Sequence, residues 1–199
     1  MRRYIIKRVV PIFLPWRKIR DFNCLACGVC CYNFKVPLKP HEAVMIVRNF
    51  GRGYITSSWG KQYITKEDGE PCPFLLRKGD LSLCTLQSLG MKPTACKVWP
   101  FYIFKRPAYG KEEEAYFSHK SGSFYVYVDQ RCPGLIMGKP SLRLRETISE
   151  AIEIWLGTRR EQDLTCSSRA ALSTGVIQSL HWAGNSILRQ YSRTLCHMG

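Results

Sequence analysis

The stretch FNCLACGVCC, residues Phe22 to Cys31, places four cysteines within eight positions. Cys24, Cys27 and Cys30 follow one another at two-residue gaps, and Cys31 comes directly after them. Three thiolates at this spacing are typical of the first half of an iron–sulfur site, and the C-x2-C pairs suit tetrahedral zinc equally well. The spacing therefore predicts a metal site and leaves the metal open.

Four downstream cysteines supply the remaining thiolates. They are Cys72, Cys84, Cys96 and Cys132, and the first and last of them precede proline. Because adjacent residues point in different directions and rarely serve one metal, Cys30 and Cys31 are predicted to belong to different sites. We expect Cys24, Cys27 and Cys30 to share a site with a cysteine that precedes proline. Cys31 and the other three then form a zinc site, or lie beside the first site without binding metal.

Disulfide bonding is the other use for such thiols. Ten cysteines in 199 residues are too few for a small disulfide scaffold, and the amino-terminal segment lacks the features of a secretory signal. We therefore expect a cytoplasmic protein, although hyperthermophile proteins keep the disulfide alternative open. Cys166 and Cys196 have no partners at ligand spacing, so we leave both out of the site.

The charge of the chain is strongly one-sided. It carries 30 lysines and arginines against 15 aspartates and glutamates, a formal net charge of +15. This surplus predicts an anionic partner such as RNA or a membrane surface. A metal–tetrathiolate centre subtracts only about 2 charges, so the surface stays basic. No apolar run approaches the ~20 residues that span a bilayer.

Residues 1–20 form the most polarised segment, with no acidic side chain. The basic residues are Arg2, Arg3, Lys7, Arg8, Arg17, Lys18 and Arg20. One interpretation is an extended arm, with Tyr4, Phe13 and Trp16 interleaved, that lies along nucleic-acid phosphates. The other is an edge strand over Tyr4 to Val10 whose charges face solvent. The pattern leaves both open.

Local patterns predict one short helix, one hairpin and one further turn after the cysteine loop. Pro40 to Phe50 has a proline in its first turn and is followed by Gly51, which predicts a helix whose buried side carries Val44, Val47 and Phe50. The runs near Tyr54–Thr56 and Gln62–Thr65 predict a hairpin. The turn Lys78-Gly79-Asp80, between two apolar runs, predicts a loop with Cys72 and Cys84 on opposite arms, where both can reach one centre.

The second half of the chain predicts a small sheet followed by helices. Phe101–Lys105 and Phe124–Asp129 are β-prone and should pair, with a charged loop at Lys111–Glu114. Helical periodicity follows over Ser141–Gly157 and Ser173–Met198. The predicted fold class is α+β, a small metal-stabilised cysteine-cluster core with a short antiparallel sheet and C-terminal helices. The predicted regions are a basic arm (1–21), the cysteine-cluster domain (22–135) and a helical segment (136–199).

Taken together, these motifs resemble the CxxCxxCC family of zinc- or iron-chelating domains, which is found also in flagellin lysine-N-methylases. The resemblance covers about residues 22–135 and rests on five stretches: Phe22–Cys31, Cys72–Leu75, Cys84–Leu86, Lys92–Pro100 and Cys132–Gly134. Lys92 stands where the family pattern leads us to expect arginine. The resemblance implies a metal-binding cysteine cluster and carries little information about activity.

These observations favour a metal-chelating protein whose basic surface binds an acidic partner, RNA or a ribonucleoprotein such as the ribosome. A [4Fe–4S] cluster is slightly favoured over Zn²⁺, because three thiols at consecutive two-residue gaps fit a cuboidal cluster better than a single tetrahedral ion. The alternatives are an iron–sulfur-dependent enzyme related to protein lysine methylation, or an electron carrier. The chain contains no C-x3-C-x2-C, H-E-x2-H or phosphate-loop motif that would favour an enzyme.

Overall fold

The computed structural model describes residues 12–67 and 69–166. The strands are β1 (Phe13–Pro15), β2 (Ile19–Phe22), β3 (Pro37–Leu38), β4 (Ile55–Ser58), β5 (Lys61–Ile64), β6 (Leu75–Lys78), β7 (Leu81–Cys84), β8 (Phe101–Phe104), β9 (Tyr116–His119), β10 (Gly122–Asp129) and β11 (Leu135–Met137). The α-helices are α1 (Val29–Asn33), α2 (Pro40–Phe50), α3 (Thr85–Ser88), α4 (Thr94–Val98), α5 (Glu112–Ala115) and α6 (Leu142–Leu156). The fold is α+β with short antiparallel sheets, as the sequence predicts. The predicted strand Tyr4–Val10, the predicted helix Ser173–Met198, and Arg2, Arg3, Lys7 and Arg8 lie outside the described residues.

The main sheet is built around β10, the longest strand. β10 pairs antiparallel with β1, β8 and β9. Its pairing with β8 confirms the predicted partnership of the two β-prone runs. Phe124, Val126 and Val128 alternate along β10 and are fully buried, so this face of the sheet supplies much of the larger core.

Helix α6 packs into the same core. Its bounds match the predicted helix, because the Ser141 hydroxyl accepts a hydrogen bond from the Leu144 amide at 3.0 Å and Gly157 ends the helix with a φ of 83°. Leu144, Ile148 and Ile152 recur at helical spacing and are completely buried. The helix thereby joins the larger core.

Strands β2 and β11 pair with each other across the predicted region boundaries at residues 21 and 135. Ile19 in β2 is fully buried, and Trp16, directly after β1, is 1% exposed. The Trp16 indole donates a hydrogen bond to the carbonyl oxygen of Tyr116 at 3.0 Å. Residues 12–21 therefore form part of the folded core.

A second, smaller core lies beneath α2 and the hairpins. It contains Val36, Ile46, Ile64, Phe74 and Leu86. The predicted hairpin is present as β4 paired with β5, and the predicted Lys78-Gly79-Asp80 turn joins β6 to β7, which also pair. This core carries half of the predicted metal ligands.

The bounds of α2 are as predicted, but the predicted buried face is wrong. Val44 and Val47 are 49% and 37% exposed, whereas Ala43 and Ile46 are buried. Residues 44–47 are all apolar, so helical periodicity alone does not choose between faces. Phe50 does pack against the smaller core, as predicted, and its ring centroid lies 5.0 Å from that of Phe74.

The predicted charged loop at Lys111–Glu114 is in fact the start of α5. Its first turn carries Glu112, Glu113 and Glu114, and negative charge at a helix N-terminus is stabilising. In the described part of the chain, no helix is long and apolar enough to cross a bilayer.

Replacing Gly134 by alanine should destabilise the fold. A Cβ atom there would collide with the backbone carbonyl of Asn23, whose amide donates a 2.9 Å hydrogen bond to the Gly134 carbonyl. Because backbone cannot swing aside, we expect a loss of about 1–3 kcal/mol in the free energy of unfolding, measured with urea. Gly53→Ala, where no heavy atom lies within 4 Å of the added methyl, is the matched control. Equal effects of the two variants would contradict the predicted collision.

Candidate metal centre

The loop that carries the first cysteines turns at Gly28 and runs directly into α1. Gly28 has a φ of 77°, and a side chain there would meet the Ser82 hydroxyl at 2.6 Å. The Ser82 amide in turn donates a 2.7 Å hydrogen bond to the Ala26 carbonyl. The loop is therefore fixed against the β6–β7 hairpin before α1 begins.

Cys30 and Cys31 lie in the first turn of α1 and pack against different cores. Successive helical residues point about 100° apart. Cys30 packs against the larger core with Cys24, whereas Cys31 packs against the smaller one. Their thiols nevertheless hydrogen-bond to each other, so this packing leaves the prediction that these neighbours belong to different sites as a prediction.

The remaining predicted cysteines divide between the same two cores. Cys132 lies in the larger core, and Cys72, Cys84 and Cys96 lie in or against the smaller one. The first set is thus Cys24, Cys27, Cys30 and Cys132, with Cys27 assigned by its position in the loop. The second set is Cys31, Cys72, Cys84 and Cys96. None of these eight cysteines forms a disulfide.

Backbone hydrogen bonds bring the two sets to the loop. The Cys72 amide donates to the Cys31 carbonyl at 2.9 Å, which ties the start of the β6–β7 hairpin to α1. The bond from Asn23 to Gly134 brings the turn that contains Cys132 beside Cys24. Both are main-chain contacts between segments that are far apart in sequence. They hold the thiols of the two sets near the loop through the backbone alone, without any ligand in the cavity.

Cys166, which the sequence analysis left out, belongs to the site region. Its Sγ lies 3.8 Å from the Sγ of Cys24, and the residue is buried. Residues 163–165 are held by the buried carboxylate of Glu150, which accepts hydrogen bonds from the amides of Asp163, Leu164 and Thr165 at 2.9–3.1 Å. No spacing pattern marks Cys166, because its place depends on a contact between segments that only the fold brings together.

All nine of these cysteines line one cavity of about 60 Å³. They are Cys24, Cys27, Cys30, Cys31, Cys72, Cys84, Cys96, Cys132 and Cys166. On the same measure, a single water needs about 10–15 Å³. As placed, however, no group of three or more histidine, cysteine, aspartate or glutamate side chains among the described residues is arranged to hold a metal ion. The structure therefore brings the predicted thiols to one space without forming a closed coordination sphere.

Lys92 is buried among these thiols and lines the same cavity. Its ammonium donates hydrogen bonds to the Gln87 side-chain oxygen at 3.0 Å and to the Cys166 carbonyl at 3.1 Å. Burial alone would lower the pKa of Lys92, but the thiols of Cys166, Cys84, Cys96 and Cys24, when ionised, together raise it. Lys92 thus provides a fixed positive charge beside both sets.

Most of the cysteines have thiol pKa values above the ordinary range. Burial raises the pKa of Cys72 and Cys132 to about 12, and it also raises the pKa of Cys96. The contact with Cys166, ahead of burial, raises the pKa of Cys24. The Cys31 pKa is lowered instead, because the Cys30 thiol hydrogen-bonds to it. A cation that binds here must displace protons, so its affinity should increase with pH.

The predicted nucleic-acid residues that the structure describes lie on the surface between β1 and β2. Arg17, Lys18 and Arg20 are exposed, and Lys18 is paired with Glu114 at 3.0 Å. The two interleaved aromatic residues that the structure describes are not available for stacking on bases. Trp16 is buried, and Phe13 stacks on Tyr109 with ring centroids 4.4 Å apart.

Comparisons of this chain with models of protein families, with curated proteins and with solved structures find no match. The resemblance to the CxxCxxCC family therefore rests on the motif residues alone.

Replacing Glu150 by glutamine should loosen the segment that holds Cys166. The carboxylate accepts three backbone amides and the Thr165 hydroxyl, and it lies 3.2 Å from Arg159. Because the amide side chain keeps only one acceptor oxygen, we expect a loss of about 1–3 kcal/mol in the free energy of unfolding.

Alkylation followed by mass spectrometry should also show faster labelling of Cys166 in this variant. Glu146→Gln, an exposed change on the same helix, is the control. Unchanged stability and unchanged Cys166 labelling would contradict the role that we assign to Glu150.

Proposed function

We propose that the cysteine cavity binds metal through thiolates in two four-cysteine sets and that the metal stabilises the junction of the two cores. The observation that carries the proposal is the convergence of all eight predicted cysteines, from distant parts of the chain, on one cavity. Isolated cysteines usually pack as small apolar residues, but eight around one space are not explained in that way. Cysteine thiolates are the ligands preferred by zinc and by iron–sulfur clusters.

The chemistry of the site suits either metal. The two-residue gaps from Cys24 to Cys27 and from Cys27 to Cys30 slightly favour a [4Fe–4S] cluster in the first set. The 3.8 Å Cys24–Cys166 separation equals the edge of a zinc tetrahedron, about 3.8 Å for Zn–S bonds of about 2.3 Å. Cys166 is therefore an additional candidate ligand of the first set. Bound metal would supply cross-links between segments and, in a cluster, reversible electron transfer.

Metal content and the visible spectrum of full-length protein purified without oxygen provide the test. We expect iron with acid-labile sulfide and a brown colour if the first set holds a cluster, or colourless protein with stoichiometric zinc. Cys30→Ser should remove metal from the first set and Cys31→Ser from the second, because each thiolate is one of four ligands.

Cys196→Ser, which changes a cysteine outside the described residues, is the matched control for metal content. Metal-free wild-type protein would refute the proposal. If Cys30→Ser and Cys31→Ser both remove all metal from a protein with one centre, metal binding stands but the division into two sets is wrong.

We further propose that the basic surface of this protein binds RNA or a ribonucleoprotein such as the ribosome, in the cytoplasm. Support comes from the net charge of +15 and from the exposed Arg17 and Arg20, which have no acidic partner among the described residues. Because the described aromatic residues of this segment pack internally, binding should depend on phosphate contacts and not on base stacking.

The double variant Arg17→Ala/Arg20→Ala should weaken binding to a short labelled RNA. We expect the slope of log affinity against log salt to fall by about 1–2 units, since each lost phosphate contact removes about 0.7–0.9. Fluorescence anisotropy over a salt series measures this slope. The control is Arg52→Ala/Lys61→Ala, which removes two exposed charges near the β4–β5 hairpin. RNA affinity that does not change with salt, or equal losses in both variants, would contradict the assignment to this segment.

Electron transfer is the second candidate function. The observation that favours it is the exposure of Cys27, which brings one edge of the cysteine cavity to the surface. A redox centre near the surface is what exchange with a partner protein requires. A protein that contains zinc alone would exclude this function.

A further inference from the structure

A second cavity lies between the start of α2, the start of α4 and the end of α6. Its volume is about 420 Å³, within the range of about 300–1,000 Å³ that is typical of small-molecule pockets. Met45, Met91 and Ile154 contribute apolar surface to it. Lys92 lines this cavity as well as the cysteine cavity.

Positive charge dominates the lining of this second cavity. Its charged lining residues, besides His41, are Lys39, Lys92, Lys97, Arg159, Arg160 and Glu42. Glu42 is the one carboxylate among the described lining residues, and it is engaged locally. It accepts hydrogen bonds from the Lys39 amide at 2.8 Å and from the Thr94 amide and hydroxyl at 2.7 Å. Glu42 therefore organises the backbone and, as one carboxylate among five lysines and arginines, offsets only part of the positive charge of the cavity.

Three of these cations have no carboxylate partner among the described residues. Arg159 is paired with Glu150, Glu153 and Asp163, but Lys39, Lys97 and Arg160 form no ion pair there. The Lys39 ammonium donates to the Trp155 carbonyl at 3.2 Å, and the Lys97 ammonium donates to the Arg160 carbonyl at 2.9 Å. Each ammonium has three donors, so these contacts orient the lysines and leave donors for a ligand.

The cations that line this cavity repel one another. A bound anion would relieve this repulsion. Phosphate fits the donor set better than a single carboxylate, because its several oxygens and double negative charge can engage three cations at once.

We propose that this cavity binds a small organic phosphate, with the phosphate group held by Lys39, Lys97 and Arg160 and the organic part against Met45 and Met91. The three cations that hold the phosphate do not line the cysteine cavity, although Lys92 lines both cavities. It differs from phosphate contact on the open surface, because its cations line one partly open cavity of ligand size.

Calorimetric titration of the full-length, metal-replete protein with inorganic pyrophosphate tests the charged half of the site. We expect saturable binding of one pyrophosphate per chain at physiological salt. Lys97→Gln/Arg160→Gln should weaken it at least about tenfold, since two charge-assisted contacts are lost. Arg160→Gln alone, a change at an exposed side chain, should weaken it several-fold without touching the Lys97 side-chain contact with the backbone. Arg160→Lys should restore part of the affinity.

The matched control is Arg106→Gln/Lys139→Gln, which removes two exposed charges outside the cavity. It should leave the pyrophosphate affinity within about twofold of wild type. Thermal unfolding and metal content, measured in parallel, verify that each variant is folded. Non-saturable binding, no binding at millimolar pyrophosphate, or equal loss in the control would overturn the proposal.

Discussion

The structure depends on the first turn of α1, where two consecutive thiols are directed into two different cores. Gly28 makes the turn possible because only a residue without a side chain fits beside Ser82 at a positive φ. Once α1 starts there, the roughly 100° step between Cys30 and Cys31 sends one to the α6 side and the other to the α2 side. The downstream segments that carry Cys72 and Cys132 then attach to this loop or to the residue just before it through main-chain hydrogen bonds.

The cavity between the two cores argues against a purely apolar role for the thiols. Protein interiors are close-packed, and voids larger than a water are few. Here a cavity of about 60 Å³ is lined by nine cysteines and a buried lysine. An apolar core would close such a space with larger side chains, whereas a metal centre needs both the volume and the sulfur lining. The raised pKa values of Cys72 and Cys132 keep these thiols neutral, so metal would bind them only by displacing protons.

The sequence predicted the features that local chemistry determines. The Lys78-Gly79-Asp80 turn and the Ser141 cap each define an element within a few residues, so the β6–β7 hairpin and α6 were predictable. The buried face of α2 was not, because four consecutive apolar residues give no preferred face. Cys166 could not be assigned either. It reaches Cys24 only because Glu150 holds the backbone of residues 163–165, and hydrogen bonds of this kind leave no spacing signal.

Lys92 lines both cavities. The positive charges of the chain therefore fall into two kinds, those on the exposed surface and those that line a cavity. Exposed arginines on flexible side chains attract any polyanion, with a strength that salt screens. Lys92 and Lys97 are both held by hydrogen bonds to protein oxygens, but only Lys92 is buried, so its charge is the less screened of the two. An anion in the second cavity would act on the same ammonium that faces the thiols. It would partly offset the positive charge that favours thiolates, and so the ligand state of one cavity would bear on the metal affinity or the reduction potential of the other.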